Sequence, residues 1–150
     1  MFYKLKELNF DTLEYSLFTT TNGKVINIKE NLEFQTPRVI LENIKDNIIT
    51  LKILPTQASS IFYNKMQEFE TVIKNKFQEY SINSLFNQDT FTIKIKTIPK
   101  VFLEGSQFNY YHLKPGMELI FLVDISRLWI NNYNEINYTL SAKEILIKKV

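Results

Sequence analysis

Cysteine is absent from the 150-residue chain, so no disulfide, thiolate zinc site or cysteine nucleophile can form. Histidine occurs once, as His112, which excludes any two-histidine metal motif. Glycine and proline are scarce, at three and four residues, and no Gly-rich phosphate loop exists. Nucleophile elbows, His-Glu zinc helices and three acids at magnesium-nuclease spacing are also missing. Non-enzymatic action without a metal or cofactor is therefore expected. No run of about 18 apolar residues spans a membrane, and Met1–Glu7 lacks the character of a signal peptide. The expectation is a soluble, cytoplasmic protein with no membrane partner.

What is present is ordinary for a globular chain: 45% apolar and 23% charged residues. The length suits one domain over residues 1–150, burying roughly two-thirds of its unfolded surface. Net charge is +2, too small to demonstrate a polyanion partner. Only Arg38 and Arg127 are arginine; the other sixteen basic residues are lysine. Lysine suits phosphate neutralisation by point charges better than bidentate base reading. Ile, Lys and Asn make up 50 residues while Ala, Gly, Pro and Arg make up 11, so AT-rich coding also explains the bias.

Along the chain, Asn22-Gly23 separates Leu13–Thr20 from Lys24–Ile28 and predicts a tight hairpin, since both residues tolerate positive φ. A second hairpin is expected between Val39–Ile44 and Ile48–Leu54, with Pro37 marking its entrance. Phe62, Met66, Phe69, Ile73 and Phe77 then recur at steps of four and three. That spacing predicts an amphipathic core helix within 57–80, capped by Ser59 or Ser60 after Pro55. Period two returns at Phe91, Ile93 and Ile95, alternating with Thr92, Lys94 and Lys96. Val101–Leu103 reads as a short strand, and Lys114-Pro115-Gly116 as a turn. Leu119–Val123, apolar throughout, predicts a strand buried on both faces, with a bulge or emergence near Asp124–Arg127. Tyr138–Leu140 and Glu144–Lys148 close the set, with one helical turn over Ala142–Leu146 as an alternative to the last strand.

Strands, one long helix, then strands describe a mostly β α+β chain. An OB-like antiparallel barrel with one long amphipathic helix fits, and a β-sandwich with one helix is the alternative. Lys94, Lys96 and Lys100 lie about 6–14 Å apart along extended chain, a spacing that follows successive phosphates. Lys52 extends that row if its strand pairs with theirs; a solvated strand face is the plain alternative. Phe108, Tyr110 and Tyr111 fall on a predicted loop and are the expected base-stacking platforms, or else a plug for the barrel mouth. Trp129 is expected in the core, with an indole–guanidinium clamp with Arg127 as the alternative. Tyr133 and Tyr138 are further aromatic candidates. His112 reads as a loop residue, and Glu68 and Glu70 diverge on the helix.

The segments Lys114-Pro115-Gly116-Met117, Leu122-Val123-Asp124, Leu128-Trp129-Ile130 and Tyr138–Ile145 resemble the end of single-stranded DNA-binding proteins of large DNA viruses and cytoplasmic linear yeast plasmids. The resemblance covers about the last 40 residues. It implies an OB-type fold and protection of single strands during cytoplasmic DNA replication. An acidic C-terminal tail that recruits partners is common in such proteins. Here the end is Ile147-Lys148-Lys149-Val150, which puts that recruitment in doubt. The expected partners are single-stranded DNA, replication proteins and further copies of the chain. The competing reading is an assembly protein whose exposed aromatics engage another chain.

Overall fold

A computed structural model describes residues 2–150. The chain opens with β1 (Phe2–Tyr3), two 3₁₀ turns at Leu5–Glu7 and Phe10–Thr12, and the hairpin β2 (Tyr15–Thr20) and β3 (Gly23–Gln35). A second hairpin, β4 (Val39–Lys45) and β5 (Ile48–Ile53), leads into α1 (Gln57–Lys76). Short strands β6 (Ser81–Ile82) and β7 (Phe86–Asn87) precede β8 (Thr90–Lys94), β9 (Lys100–Leu103) and β10 (Ser106–Phe108). After a 3₁₀ turn at Tyr110–His112 come β11 (Glu118–Ile130), β12 (Glu135–Tyr138) and β13 (Leu140–Lys149).

Five strands close on themselves in the order β11–β4–β5–β8–β13 and back to β11. Every contact in the ring is antiparallel except β8 against β13, where Leu140 lies beside Ile93. A closed five-stranded barrel with a parallel pair and one helix is the OB-type architecture, and the sandwich alternative is discarded. Its interior is filled from alternate positions: Leu41, Ile49, Leu51, Phe91, Ile93, Leu119, Phe121, Val123 and Ile145 are all buried. On β11 Leu119, Phe121, Val123 and Ile125 form the fully buried inner set as far as position 125. Ile120 and Leu122 are half-buried on the outer face, so the run is not sealed on both sides as its composition predicted.

The helix follows its stripe. Phe62, Met66, Phe69 and Ile73 are fully buried, with the Phe69 ring 5.0 Å from Phe10 and 5.1 Å from Tyr138. Thr56, rather than either serine, caps it: its hydroxyl accepts from the Ser59 backbone N–H at 3.1 Å. Thr56 has the extended backbone of a capping residue, three positions before Ser59. Lys74 and Lys76 sit in the last turn, where cations oppose the helix dipole favourably. Glu70 ties the helix to the sheet. Its carboxylate accepts from the Tyr138 hydroxyl and from the Leu85 backbone N–H at 2.9 Å. Burial, then the Glu70 charge, raises the Tyr138 phenol well above its ordinary range.

Both hairpins form. In the first, Thr20 pairs with Gly23, so Thr21-Asn22 makes the loop and Gly23, at φ +125°, closes it. In the second, Asp46 adopts φ 57° between Lys45 and Ile48. Ala142–Leu146 is strand, not a helical turn, because both edges of β13 are claimed, by β11 and by β8 and β9. Among the described residues no helix is long and apolar enough to cross a membrane.

Candidate nucleic-acid interface

The phase of β11 decides which side chains reach solvent. Leu119, Phe121, Val123 and Ile125 point inward, and uninterrupted alternation would send Arg127 and Trp129 inward as well. The bulge prevents this. Ile125 pairs with Leu32 but Arg127 pairs with Asn27, so four β3 residues oppose the single position 126. Leu128 becomes the core residue, fully buried, and Trp129 turns outward at 41% exposure. Trp129 is therefore not core, contrary to the sequence reading. Its side of the strand is shared with Arg127, as that reading required for a clamp.

The rows beside these residues run out along the first hairpin. Arg127 lies next to Asn27 and then Ser16, and Trp129 lies next to Val25 and then Phe18. Phe18 is 48% exposed, because β2 is an edge strand that extends past the barrel. The Arg127 Nε donates to Asn27 Oδ1 at 3.3 Å, which fixes the guanidinium on the sheet without engaging an acid. Ser16, Phe18, Asn27, Lys29, Lys96 and Arg127 together line a cleft of about 640 Å³. Phe18 was missed in the sequence. Its signal was the adjacent pair Leu17-Phe18, which breaks alternation and leaves one apolar side chain on each face of a hairpin arm.

Below this cleft the outer face becomes acidic. Asp124 lies between Glu33 and Ser141, and Ser141 lies beside Lys94. Lys143 bonds Glu33 at 3.1 Å. Desolvation raises the Asp124 carboxyl, Lys96 and Lys143 oppose that rise, and Glu33 adds to it. The Asp124 Oδ1 atom is buried with no hydrogen-bond partner among the described groups.

The remaining lysines separate. Lys94 is half-buried and Lys96 exposed, both facing out of the barrel. Lys100 stands beside Glu144 across β9 and β13. β5 and β8 do pair, yet Lys52 faces Thr90 while Lys94 faces Ile48, four residues or about 13 Å along the ladder. Lys52 also lies 3.9 Å from Asp89, so it does not extend the Lys94–Lys96 patch.

The aromatic segment behaves differently from its expectation as an open loop. Phe108 ends β10, half-buried, with its ring 6.2 Å from His112. Tyr110 is only 8% exposed and joins the core, which takes away its proposed stacking face, and burial raises its phenol. Tyr111 alone is open, at 74%. Phe108 and His112 share a depression with Met117 and Val150, at the Glu118 end of β11. Trp129 lies eleven residues further along, about 36 Å of strand away. Tyr133, also open, sits in the turn just beyond Trp129, with its backbone N–H held by Asn131 Oδ1 at 2.9 Å. The structure thus gathers Arg127, Trp129 and Lys96 with Phe18, and leaves Phe108, Tyr110, Tyr111, Lys52 and Lys100 elsewhere.

No protein-family model and no curated protein sequence matches the chain. The fold has solved counterparts. It is similar to gp2.5, a single-stranded DNA-binding protein encoded by bacteriophage T7, with a TM-score of 0.60 and 12% identity over 81% of this chain and 88% of that one. It is also similar to a C-terminally truncated single-stranded DNA-binding protein from bacteriophage Enc34, with a TM-score of 0.57 and 14% identity over 93% and 96% of the two chains. The Enc34 protein in complex with single-stranded DNA matches at a TM-score of 0.53 and 12% identity, with the same coverage. At these identities the likeness establishes the shared fold.

Proposed function

We propose that this chain is a sequence-independent single-stranded DNA-binding protein that protects single strands during cytoplasmic DNA replication. The observation that carries the reading is the cleft on the outer face of β2, β3 and β11 and the row beside it. There Arg127 and Lys96 stand beside half-exposed aromatic rings on a barrel whose solved counterparts bind single-stranded DNA. Lysine and arginine neutralise phosphates, and aromatic faces accept any base, so the face suits single strands without regard to sequence. The binding needs no metal, cofactor or covalent step, and the protein is not an enzyme in this reading. The resemblance of about its last 40 residues supports extending the reading to an ancestry shared with the proteins of linear plasmids and large DNA viruses. Replication proteins and further copies of the chain are its expected partners.

Titration of single-stranded, duplex and RNA oligonucleotides at two salt concentrations tests the reading. Single-stranded DNA should bind at least about tenfold better than duplex, whose bases are closed to stacking. Affinity should fall steeply with salt as counterions are released. Equal affinity for duplex removes the aromatic half of the mechanism. Binding that ignores salt points instead to a protein partner for the aromatics.

A further inference from the structure

We infer that the row Phe18–Val25–Trp129 is a nucleobase-stacking subsite, with Arg127 and Lys96 placed to take the adjoining phosphates. The inference rests on the single-strand reading and adds where the bases go. Strand neighbours are about 4.8 Å apart, so the backbones of Phe18 and Trp129 stand roughly 10 Å apart with Val25 between them. Two rings thus rise from one apolar floor on the same sheet face. Neither ring is needed by the core, because Ile26, Ile28 and Leu128 on the opposite face fill it. Large aromatic surface left open on a strand face marks an interaction site.

The charges around the row favour a nucleic acid over an apolar protein partner. Lys29, Lys52 and Lys143 are each within 4 Å of a carboxylate. Arg127 instead bonds the neutral amide of Asn27, so its charge remains available one row from Trp129. Lys96 lines the same cleft from β8's side. Asp124 bounds the row below, and its carboxylate would repel a phosphate backbone and confine it to the hairpin end.

Trp129 is the chain's one tryptophan, so its fluorescence reads the subsite directly. The full chain would be titrated with an oligothymidylate and with an abasic deoxyribose-phosphate strand of equal length. Stacking predicts that thymidylate quenches Trp129 while the abasic strand binds at least about tenfold more weakly and leaves the emission unchanged. Phe18→Ala and Trp129→Ala should each weaken thymidylate binding about 5- to 150-fold, the range set by ~1–3 kcal/mol per stacked base. Phe18→Trp should restore it, and affinity for the abasic strand should not move. Both side chains are exposed, and a melting curve on each variant confirms folding. If wild type binds thymidylate but Phe18→Ala matches it, or if the abasic strand binds as well, the subsite is wrong and single-strand binding stands. If wild type binds no single strand under low salt, the functional reading itself fails and the subsite with it.

Discussion

Two aromatic clusters sit at opposite ends of β11, and their fates are reversed from what their local sequence suggests. At one end, Phe108, Tyr110 and Tyr111 fall in a segment with no strand period, flanked by glycine turns. At the other, Trp129 continues an apolar strand. Yet Tyr110 is buried and Phe108 half-buried, whereas Trp129 and Phe18 are open. The first cluster folds into a short strand and a 3₁₀ turn, and the Tyr110 ring drops against the barrel. The second sits past a bulge that flips the phase of its strand. Exposure here follows the register of the sheet, not membership of a loop.

Core and surface alternate between neighbouring residues of β11 just past the bulge. Leu128→Ala removes a fully buried side chain and should cost about 2–5 kcal/mol by urea unfolding. Trp129→Ala, one residue on, should cost less than about 1 kcal/mol because its ring is half open. A Trp129→Ala loss larger than that of Leu128→Ala would mean the bulge is misplaced.

At the other end the ranking lies inside one turn. Tyr110→Ala should destabilise by roughly 3 kcal/mol, as a buried aromatic does. Tyr111→Ala should leave both melting temperature and oligonucleotide affinity within about 0.5 kcal/mol of wild type. Should Tyr111→Ala cost the affinity of a stacked base, the binding surface extends to the Glu118 end of β11.

Charge sharpens the contrast further. If the hairpin end tracks the backbone, Lys96→Ala should flatten the salt slope of single-strand binding by about 0.7, the value of one phosphate contact. Lys52→Ala should not, because Lys52 lies down the β5–β8 ladder beside Asp89. Lys100→Ala should behave like Lys52→Ala, since Lys100 stands beside Glu144 on β9. Equal slopes across the three variants would return all of these lysines to ordinary solvation.

The parts of this fold that can be read along the chain are those set by neighbours in sequence. The Phe62–Ile73 stripe, the two hairpins and the alternation of Phe91, Ile93 and Ile95 each depend on residues within one element. Closure of the barrel does not, since it rests on Leu140 meeting Ile93 in parallel, 47 positions apart. The bulge at position 126 is likewise written in how β3 and β11 pair, and it moved Arg127 and Trp129 to the surface together. The Arg127–Trp129 half of the site was legible because the two are i and i+2, which share a face whatever the phase. Phe18 was not, because only pairing through Val25 brings it to Trp129.

The smallest expected effect tests the border between the cleft and the acidic row. Asp124 has its carboxyl raised above the ordinary value of 3.8, chiefly by desolvation, with Lys96 and Lys143 pulling it down and Glu33 pushing it up. The folded protein therefore keeps a proton over a pH range in which the unfolded chain has already lost it. Stability falls as pH rises through that window, and at neutral pH the ionised Asp124 is a net cost. Asp124→Asn should then stabilise at pH 7, by less than about 1 kcal/mol because the group is partly exposed and screened. The gain should vanish below the ordinary carboxylate range, where the wild-type side chain is neutral in both states. Removing this charge also frees Lys96 from a carboxylate beside the cleft, so single-strand affinity at pH 7 should rise slightly, by less than about 1 kcal/mol. Urea unfolding of both proteins across pH 3 to 8, with affinity measured at pH 7, separates the outcomes. A variant less stable at pH 7 would show that the ionised carboxylate is held by favourable partners, and a stability difference that ignores pH would show that Asp124 titrates alike in the folded and unfolded chains.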